Sequence, residues 1–364
     1  MPLHICDGPD AASATMTRYI IVGAGAVGAM LAAQLTGAGI DHVLVGRGEH
    51  IRRIREDGLR YVLHGEPQTV RVSTASEPDE VELRSSDLLV LATKAQDAEA
   101  AVRTWAWRPV DVDGRPGVAA ELPLLTLQNG FDADRIALRR FARVLGGSIL
   151  TSAHYLEAGE VRSGARDAVG LLTVGGAPRG TDPALEGIAA DLRRAGYIVQ
   201  LTDDVTRWKA AKLLISVCNG LEVLVGEDKE RSALSERLVA EARAVLETAG
   251  LAVADTVAEQ TEDLSTLGID PNSGVVPGRA STWQSFARGV PSEADFLNGE
   301  IVLLGRLHGV PTPVNAALQR VLGEADTRRL PPGSRTLREV TDLAAMSQAV
   351  PERQRPLRRA TSAG

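Results

Sequence analysis

Short, continuously apolar runs recur through residues 18–201 and alternate with segments whose apolar residues lie three and four positions apart. Runs of the first kind are typical of strands buried on both faces, and the second spacing is that of a helix with one apolar face. This alternation predicts a doubly wound α/β domain built on a mainly parallel sheet. The predicted strands cover residues 18–22, 42–45, 59–63, 69–72, 87–93, 123–127, 147–154, 168–174 and 197–201. The predicted helices in this part cover residues 29–39, 49–56 and 183–195.

The strand pattern largely disappears after residue 203, and the remaining apolar spacing is that of helices. Predicted helices cover residues 204–224, 232–249, 253–267, 293–308 and 314–324. We therefore expect a dinucleotide-binding α/β domain at 17–203 and an all-helical domain at 204–345. Met16 stands just before the first strand, so residues 1–16 are expected to be a disordered leader. The polar, proline-bearing end, residues 346–364, is expected to be a disordered tail.

Composition and charge argue against several classes of protein. The 364 residues carry 40 Lys and Arg against 47 Asp and Glu, a net charge of −7, and aromatic residues make up 3%. An acidic chain with few aromatics gives no general footprint for nucleic acid or an anionic membrane. No apolar run approaches the ~20 residues of a membrane span, and the leader lacks the basic start and apolar core of a secretory signal. Two cysteines, Cys6 and Cys218, favour neither a disulfide framework nor a metal site, which fits the cytoplasm.

A glycine-rich motif joins the first strand to the first helix, and it reads Gly23-Ala24-Gly25-Ala26-Val27-Gly28. This context indicates a dinucleotide site: Gly23 permits a tight turn, Gly25 lets the backbone approach a pyrophosphate, and Gly28 lets the helix pack on the strand. The N-terminus of the helix that follows supplies free N–H groups for phosphate, and Ala26 and Val27 of the motif are also expected to bind the cofactor. The alternative is a purely structural turn.

The end of the second predicted strand distinguishes the two nicotinamide cofactors. Sites that prefer NAD usually place an acid there for the ribose 2′-hydroxyl. This chain has Val45-Gly46-Arg47 instead. Because a guanidinium suits a 2′-phosphate, the sequence favours NADPH. The alternative for Arg47 is an ordinary solvated cation in a loop.

Polar residues follow the two central strands, as Thr93-Lys94-Ala95-Gln96 and as Leu127-Gln128-Asn129-Gly130. The carboxyl ends of parallel strands meet at the ligand crevice, so Lys94 and Asn129 are expected beside the cofactor. The helical half contributes Trp208-Lys209-Ala210-Ala211-Lys212-Leu213, then Ser281-Thr282-Trp283-Gln284, then 291–300, which reads PSEADFLNGE.

In these motifs and their order, from about residue 18 to 325, the chain resembles the ketopantoate reductases, the 2-dehydropantoate 2-reductase family. The resemblance implies a Rossmann domain that binds NADPH and a helical domain like the C-terminal one of 6-phosphogluconate dehydrogenase. It implies a substrate cleft between the domains, a homodimer, and reduction of 2-dehydropantoate to (R)-pantoate in pantothenate and coenzyme A synthesis.

The resemblance also assigns roles. Hydride transfer to a ketone leaves an alkoxide that needs a proton donor, and the family's donor corresponds to Lys212, with Lys209 the alternative one turn earlier. Glu293 corresponds to the acid that orients substrate and lysine, and its alternative is a helix-start carboxylate. Ser281 corresponds to the hydroxyl that binds the substrate carboxylate, and its alternative is a helix cap. The family's cofactor and substrate contacts fall on Lys94, Gln96 and Asn129, and the alternative for Asn129 is an Asx turn.

One position departs from the family pattern. Four residues after the lysine the family commonly has an Asn that contacts the substrate, and this chain has Ser216, with Asn219 three residues further on. Serine is shorter and lacks the paired amide donors, so a reductase of a different 2-keto acid stays an alternative. A second alternative is an NADP(H)-binding sensor without catalysis, although that class is expected to lose the Lys212 and Glu293 pair.

Overall fold

The computed structural model describes residues 17–112 and 114–349. They form two compact units: one runs to Val205 and also contains Thr261–Val275, and the other contains Thr206–Gln260 and the chain from Val276 onward. The predicted leader, 1–16, and residues 350–364 of the predicted tail lie outside the described residues. No helix within the described part of the chain is both long and apolar enough to cross a membrane.

The first unit alternates strands and helices. Its strands are β1 (Arg18–Val22), β2 (His42–Val45), β3 (Leu59–Leu63), β4 (Glu66–Val70), β5 (Thr74–Ala75), β6 (Asp87–Leu91), β7 (Pro109–Val112), β8 (Arg115–Val118), β9 (Pro123–Thr126), β10 (Arg143–Thr151), β11 (Ala153–His154), β12 (Glu160–Ser163), β13 (Gly170–Gly176) and β14 (Tyr197–Leu201). Its helices are α1 (Ala26–Gly37), α2 (Gly48–Asp57), α3 (Ala98–Ala106), α4 (Asp132–Ala137) and α5 (Leu185–Arg194).

The main sheet has the order β14-β13-β10-β9-β6-β1-β2-β5. The pairs from β10 through β9, β6, β1 and β2 to β5 are parallel, whereas β13 runs antiparallel to β10. A smaller sheet has the order β11-β12-β3-β4, and β7 and β8 form a hairpin. The predicted doubly wound α/β fold is therefore confirmed.

Both faces of the main sheet are buried, which explains the continuous apolar runs. In β1, Tyr19 and Ile21 enter one core with α1, α2 and α5, while Ile20 and Val22 enter the other with α3 and α4. Since side chains alternate along a strand, successive residues of such a strand are apolar, and the charged residues that begin β1 and β6, Arg18 and Asp87, are buried as an ion pair at 2.8 Å. This packing holds the central strands rigidly, so their carboxyl ends are firm supports for a site.

The second unit is helical, as predicted. Its helices are α6 (Val205–Ser216), α7 (Asp228–Thr248), α8 (Ser281–Ala287), α9 (Ala294–His308), α10 (Pro313–Thr327) and α11 (Leu337–Ala349). A buried amide network joins α7, α9 and α10 to the residue that follows α6: Asn298 donates to the carbonyl of Val217 at 2.9 Å and to Asn315 at 3.0 Å. Asn315 donates to Glu241 at 2.9 Å, and that carboxylate also accepts the first N–H groups of α10.

The predicted helix at 253–267 is wrong. Short polar side chains bind the backbone there and hold it in turns: Asp255 accepts the N–H groups of Val257 and Ala258 at 3.0 Å, and Asp263 accepts that of Ser265 at 2.9 Å. Such local bonds compete with helical ones. Apolar spacing alone could not reveal this competition.

The chain from Thr261 to Val275 returns to the first unit, which a single division at residue 203 does not include. The N–H of Asp270 donates to Gly164 at 2.9 Å, and its carboxylate lies 3.1 Å from the His64 ring. The single helix predicted over 204–224 ends at Ser216 and continues as a 3-10 turn, Asn219–Val223. The predicted tail begins too early, because α11 runs to Ala349.

Candidate functional site

Three neighbouring strands of the main sheet end side by side. The last pairs in register are Val22 with Leu91 and Leu91 with Thr126, so the turns that follow β1, β6 and β9 share one edge. Beyond the ladders, Ala92 N–H donates to Val22 at 2.8 Å and Leu127 N–H to Leu91 at 3.1 Å. The glycine motif and the two polar segments predicted from the sequence thus lie at the same edge.

The three motif glycines have different neighbours. A Cβ on Gly28 would lie 1.9 Å from the carbonyl oxygen of Gly23, and a Cβ on Gly23, whose φ is +117°, would lie 2.6 Å from Ala92 and Thr93 backbone atoms. Packing within the protein therefore requires both glycines. A Cβ on Gly25 would meet nothing closer than Ala92 O at 4.0 Å, and its φ of −80° suits any residue.

Gly25 caps the N-terminus of α1 through its backbone, with Ala26 and Val27 in the first turn. The leading N–H groups of an α-helix have no carbonyl partner one turn before them and carry part of the helix dipole. The space in front of Gly25 therefore faces N–H groups suited to an anion. A dinucleotide pyrophosphate fits this cradle, and packing within the protein does not explain the glycine at position 25.

Arg47 follows β2 and caps α2. Its side chain is 86% exposed and lies 3.4 Å from the Asp97 carboxylate. An exposed pair of this length contributes little to stability. Recognition of a 2′-phosphate and simple solvation both require this exposure, so the role of Arg47 stays a prediction.

The segments after β6 and β9 are tied together by Gln128, which the sequence did not single out. Its buried amide donates to the carbonyls of Leu91 and Thr93, both at 2.9 Å. Lys94 caps the 3-10 turn Ala95–Asp97, which contains Gln96, and both side chains are half-buried. The link from Gln128 thus fixes the turn that carries both predicted cofactor residues.

Asn129 lies beyond this link, half-buried and before Gly130, whose φ is +78°. Among residues 17–112 and 114–349 the Asn129 side chain has no hydrogen-bond partner. An Asx turn would need its side-chain oxygen to accept a nearby N–H, so that alternative does not explain the residue. Its amide is free to bind a ligand.

In the second unit, α6 presents two lysines. Lys209 is 2% exposed and interacts with its surroundings, whereas Lys212, one turn later, is partly exposed. Burial lowers the pKa of the Lys212 amine below its ordinary value. Among the described residues no side chain or carbonyl binds this amine. An accessible amine with a lowered pKa and no internal partner is suited to proton transfer.

The end of α6 and the start of α8 lie together. Ser216, the last residue of α6, is buried, and its hydroxyl has no hydrogen-bond partner in the described chain. Asn219 opens the following 3-10 turn, and Glu222 of that turn accepts the N–H of Ala280 at 2.7 Å. Since Ala280 precedes Ser281, this bond places the start of α8 against the Asn219 turn. Burial raises the pKa of Glu222 above its ordinary value.

Two predicted side chains sit at helix starts in different ways. Ser281 is the first residue of α8, whose cap is Ala280, so the helix-cap alternative for Ser281 is wrong. Glu293 is the cap residue of α9, but its side chain makes no capping hydrogen bond. It is 8% exposed and is not isolated from its neighbours. A carboxylate at this position is favourable for the helix dipole whatever else it does.

No three His, Cys, Asp or Glu side chains in the described part of the chain are grouped so that they could hold a metal ion. Lys212, Ser216, Asn219, Ser281 and Glu293 belong to the second unit. The glycine motif, Arg47, Lys94, Gln96 and Asn129 belong to the first. Each unit thus carries one coherent half of the predicted chemistry.

Comparison with known proteins finds family models that match both parts of the chain. A family model described as ketopantoate reductase PanE/ApbA matches residues 19–174, and the model of its C-terminal part matches 204–326. A Mycobacterium tuberculosis protein named 2-dehydropantoate 2-reductase is 31% identical over 319 residues, covering 85% of this chain and 98% of that protein. The crystal structure of a PanE/ApbA family ketopantoate reductase from Ralstonia eutropha JMP134 has a TM-score of 0.68 and 26% identity, over 86% of this chain and 99% of its own. A D-mandelate dehydrogenase with NADH and anilino(oxo)acetate shares the fold, with a TM-score of 0.68 at 20% identity over 86% and 99% of the two chains.

Proposed function

The chain belongs to the ketopantoate reductase PanE/ApbA family of oxidoreductases, and from this we propose that it reduces 2-dehydropantoate to (R)-pantoate with NADPH. Membership supports an oxidoreductase of the 2-dehydropantoate 2-reductase type. The particular keto acid, the choice of NADPH and the role of each residue are our proposal.

The observation that carries the proposal is the state of Lys212. Reduction of the C2 carbonyl turns its oxygen into an alkoxide, which takes one proton to become the hydroxyl. The Lys212 ammonium donates that proton and leaves a neutral amine, which solvent protonates again. Because burial lowers its pKa, the ammonium gives up a proton more readily than an exposed lysine does. Before transfer, its charge stabilises the developing negative oxygen.

The first unit holds the cofactor in this proposal. The cradle at Gly25 and the first N–H groups of α1 receive the pyrophosphate, and Arg47 receives the 2′-phosphate. Lys94, Gln96 and Asn129 contact the nicotinamide half. Bound NADPH supplies the hydride that reaches C2. A similar fold that binds NADH is known, so the preference for NADPH depends on Arg47 and the missing acid at that position.

The second unit binds the keto acid in this proposal. Ser281 donates to the substrate carboxylate, Asn219 and Ser216 contact the remainder of the molecule, and Glu293 orients substrate and lysine. Ser216 also supports the second candidate, an NADPH-dependent reductase of another 2-keto acid. Its buried hydroxyl is smaller than the family's amide and has no internal partner, so a substrate of different shape is accommodated there.

The cellular setting follows the family. We propose a cytoplasmic homodimer that works in pantothenate and coenzyme A synthesis. A structural neighbour at 16% identity is described as a dimeric ketopantoate reductase. Sedimentation of the purified protein tests the dimer directly.

The test of function follows NADPH absorbance with 2-dehydropantoate and a panel of other 2-keto acids. We expect turnover of a 2-keto acid, lowered about a thousandfold in kcat by Lys212→Met with cofactor binding unchanged. The matched control is Lys229→Met, on the exposed start of α7, which should keep full activity.

The other possible outcomes of this test each show which part of the proposal is wrong. Activity restricted to another keto acid supports the second candidate. Normal turnover by Lys212→Met refutes the proposed proton donor. NADPH binding without reduction of any 2-keto acid refutes the proposed activity and leaves the non-catalytic NADP(H)-binding sensor as the remaining alternative.

A further inference from the structure

Arg279 is an exposed arginine on the segment that carries Ser281. Its guanidinium carbon lies over the Trp283 ring, 4.4 Å from the centroid. Among residues 17–112 and 114–349 its side chain has no carboxylate or carbonyl partner. The charge is therefore held in place by an aromatic face while its N–H donors stay available.

Hydrogen bonds of the neighbouring backbone hold the segment that carries Arg279 in place. Ala280, between Arg279 and Ser281, donates its N–H to Glu222 at 2.7 Å, which holds the segment against the turn that begins at Asn219. Gln284 donates to the carbonyl of Arg279 at 3.1 Å and so fixes that peptide against α8. The peptide that joins Arg279 to Ala280, just before α8, is thus anchored through both its N–H and its carbonyl.

The roles assigned so far leave the negative charge of the substrate carboxylate without a cationic partner. A 2-keto acid brings a full negative charge on its carboxylate, and the product keeps that charge. Lys212 is assigned to the carbonyl oxygen and becomes neutral when its proton leaves. Ser281 offers a single neutral donor, whereas a guanidinium offers paired N–H groups that match the two carboxylate oxygens.

We propose that Arg279 binds the carboxylate of the 2-keto acid beside Ser281, with Trp283 holding the guanidinium in place. This inference rests on the proposed function and adds a residue that selects acids over neutral ketones.

The test compares a carboxylate with its neutral amide. Calorimetric titrations with NADP⁺ present use (R)-pantoate and (R)-pantoamide, or the corresponding pair for whichever 2-keto acid the wild type reduces fastest. The variants are Arg279→Met and Arg279→Lys, and the matched control is Arg243→Met, an exposed arginine of α7. Circular dichroism and melting temperature establish that each variant is folded.

We expect Arg279→Met to weaken carboxylate binding about tenfold or more and amide binding less than about twofold. Arg279→Lys should lie between, because an ammonium keeps the charge and loses the paired donors. Equal weakening of acid and amide, or no weakening of either, overturns the Arg279 assignment while the reductase function stands. A wild type that neither binds the hydroxy acid nor reduces any keto acid overturns the function itself, and the assignment with it.

Discussion

Replacing Gly25 with alanine should weaken cofactor binding while leaving the stability of the fold nearly unchanged. The added Cβ meets no protein atom closer than 4.0 Å, and the backbone already has an ordinary conformation. Alanine is a poorer N-cap than glycine by about 1 kcal/mol, and it lowers the entropy of the unfolded chain by a compensating 0.4–1 kcal/mol or so. The free energy of unfolding should therefore change by less than about 1 kcal/mol.

Cofactor binding should respond far more strongly to Gly25→Ala. The methyl group occupies the space in front of the first N–H groups of α1 and displaces the pyrophosphate from them. Losing two charge-assisted hydrogen bonds at about 1.5 kcal/mol each amounts to about 3 kcal/mol, or about a hundredfold in the dissociation constant of NADPH.

Two other glycines give the comparison. Gly28→Ala should destabilise the fold by about 3 kcal/mol or more, because its Cβ would lie 1.9 Å from the Gly23 carbonyl oxygen and helix and strand must separate. Gly187→Ala in α5 meets no atom within 4 Å, and it should stabilise the protein by about 0.5–1 kcal/mol without changing cofactor binding.

The assays are urea unfolding followed by circular dichroism, and NADPH titration followed by fluorescence. The reasoning is refuted if Gly25→Ala binds NADPH like the wild type, since the open space would then not be the cofactor's. Unfolding of Gly25→Ala comparable to that of Gly28→Ala would show that the protein itself requires this glycine.

Three further perturbations have definite expected results. Arg47→Ala should weaken NADPH binding about tenfold and leave NADH binding unchanged, as measured by titration with both cofactors, and equal effects on the two would contradict a 2′-phosphate role. Ser216→Ala should raise the free energy of unfolding by about 1 kcal/mol, because it removes a buried hydroxyl without a partner, and a loss of stability in urea would show an unseen bond. The kcat for reduction should fall as pH rises through a pKa below the ordinary 10.5 of lysine, since the ammonium of Lys212 is the acid, and a rate that is flat or rising over that range would exclude it.

The sheet of the first unit could be predicted from the sequence because its strands are buried on both faces. Leu88 and Val90 enter one core and Leu89 and Leu91 the other, so the run is apolar at every position. Its carboxyl end could therefore be located, and with it the segment from Thr93. A strand that is exposed on both faces gives a weaker signal, and residues 69–72 were predicted where β4 runs from Glu66 to Val70.

The chain from residue 251 to 280 shows where the same reasoning fails. Its apolar residues have helical spacing, but Asp255 and Asp263 bind the backbone locally, and Asp270 is joined to the first unit through Gly164 and His64. Such contacts depend on the tertiary fold and produce no regular spacing of residues in the sequence. The return of this segment to the first unit was therefore invisible in the sequence.

The residues proposed to bind the cofactor and those proposed to bind the substrate differ in how far the sequence predicts them. The phosphate cradle proposed for the cofactor is made of backbone N–H groups after a strand, and its geometry is local, so the glycine motif describes it well. The residues proposed to bind the substrate lie on separate segments of the second unit, which are held by the bond of Ala280 to Glu222 and that of Asn298 to the Val217 carbonyl. Neither hydrogen bond could be read from the sequence, although Asn298 itself lies in the motif at 291–300. Arg279 was not foreseen for the same reason: its sequence position says nothing, and its position on the Trp283 ring, without a carboxylate or carbonyl partner among the described residues, is apparent only in the structure.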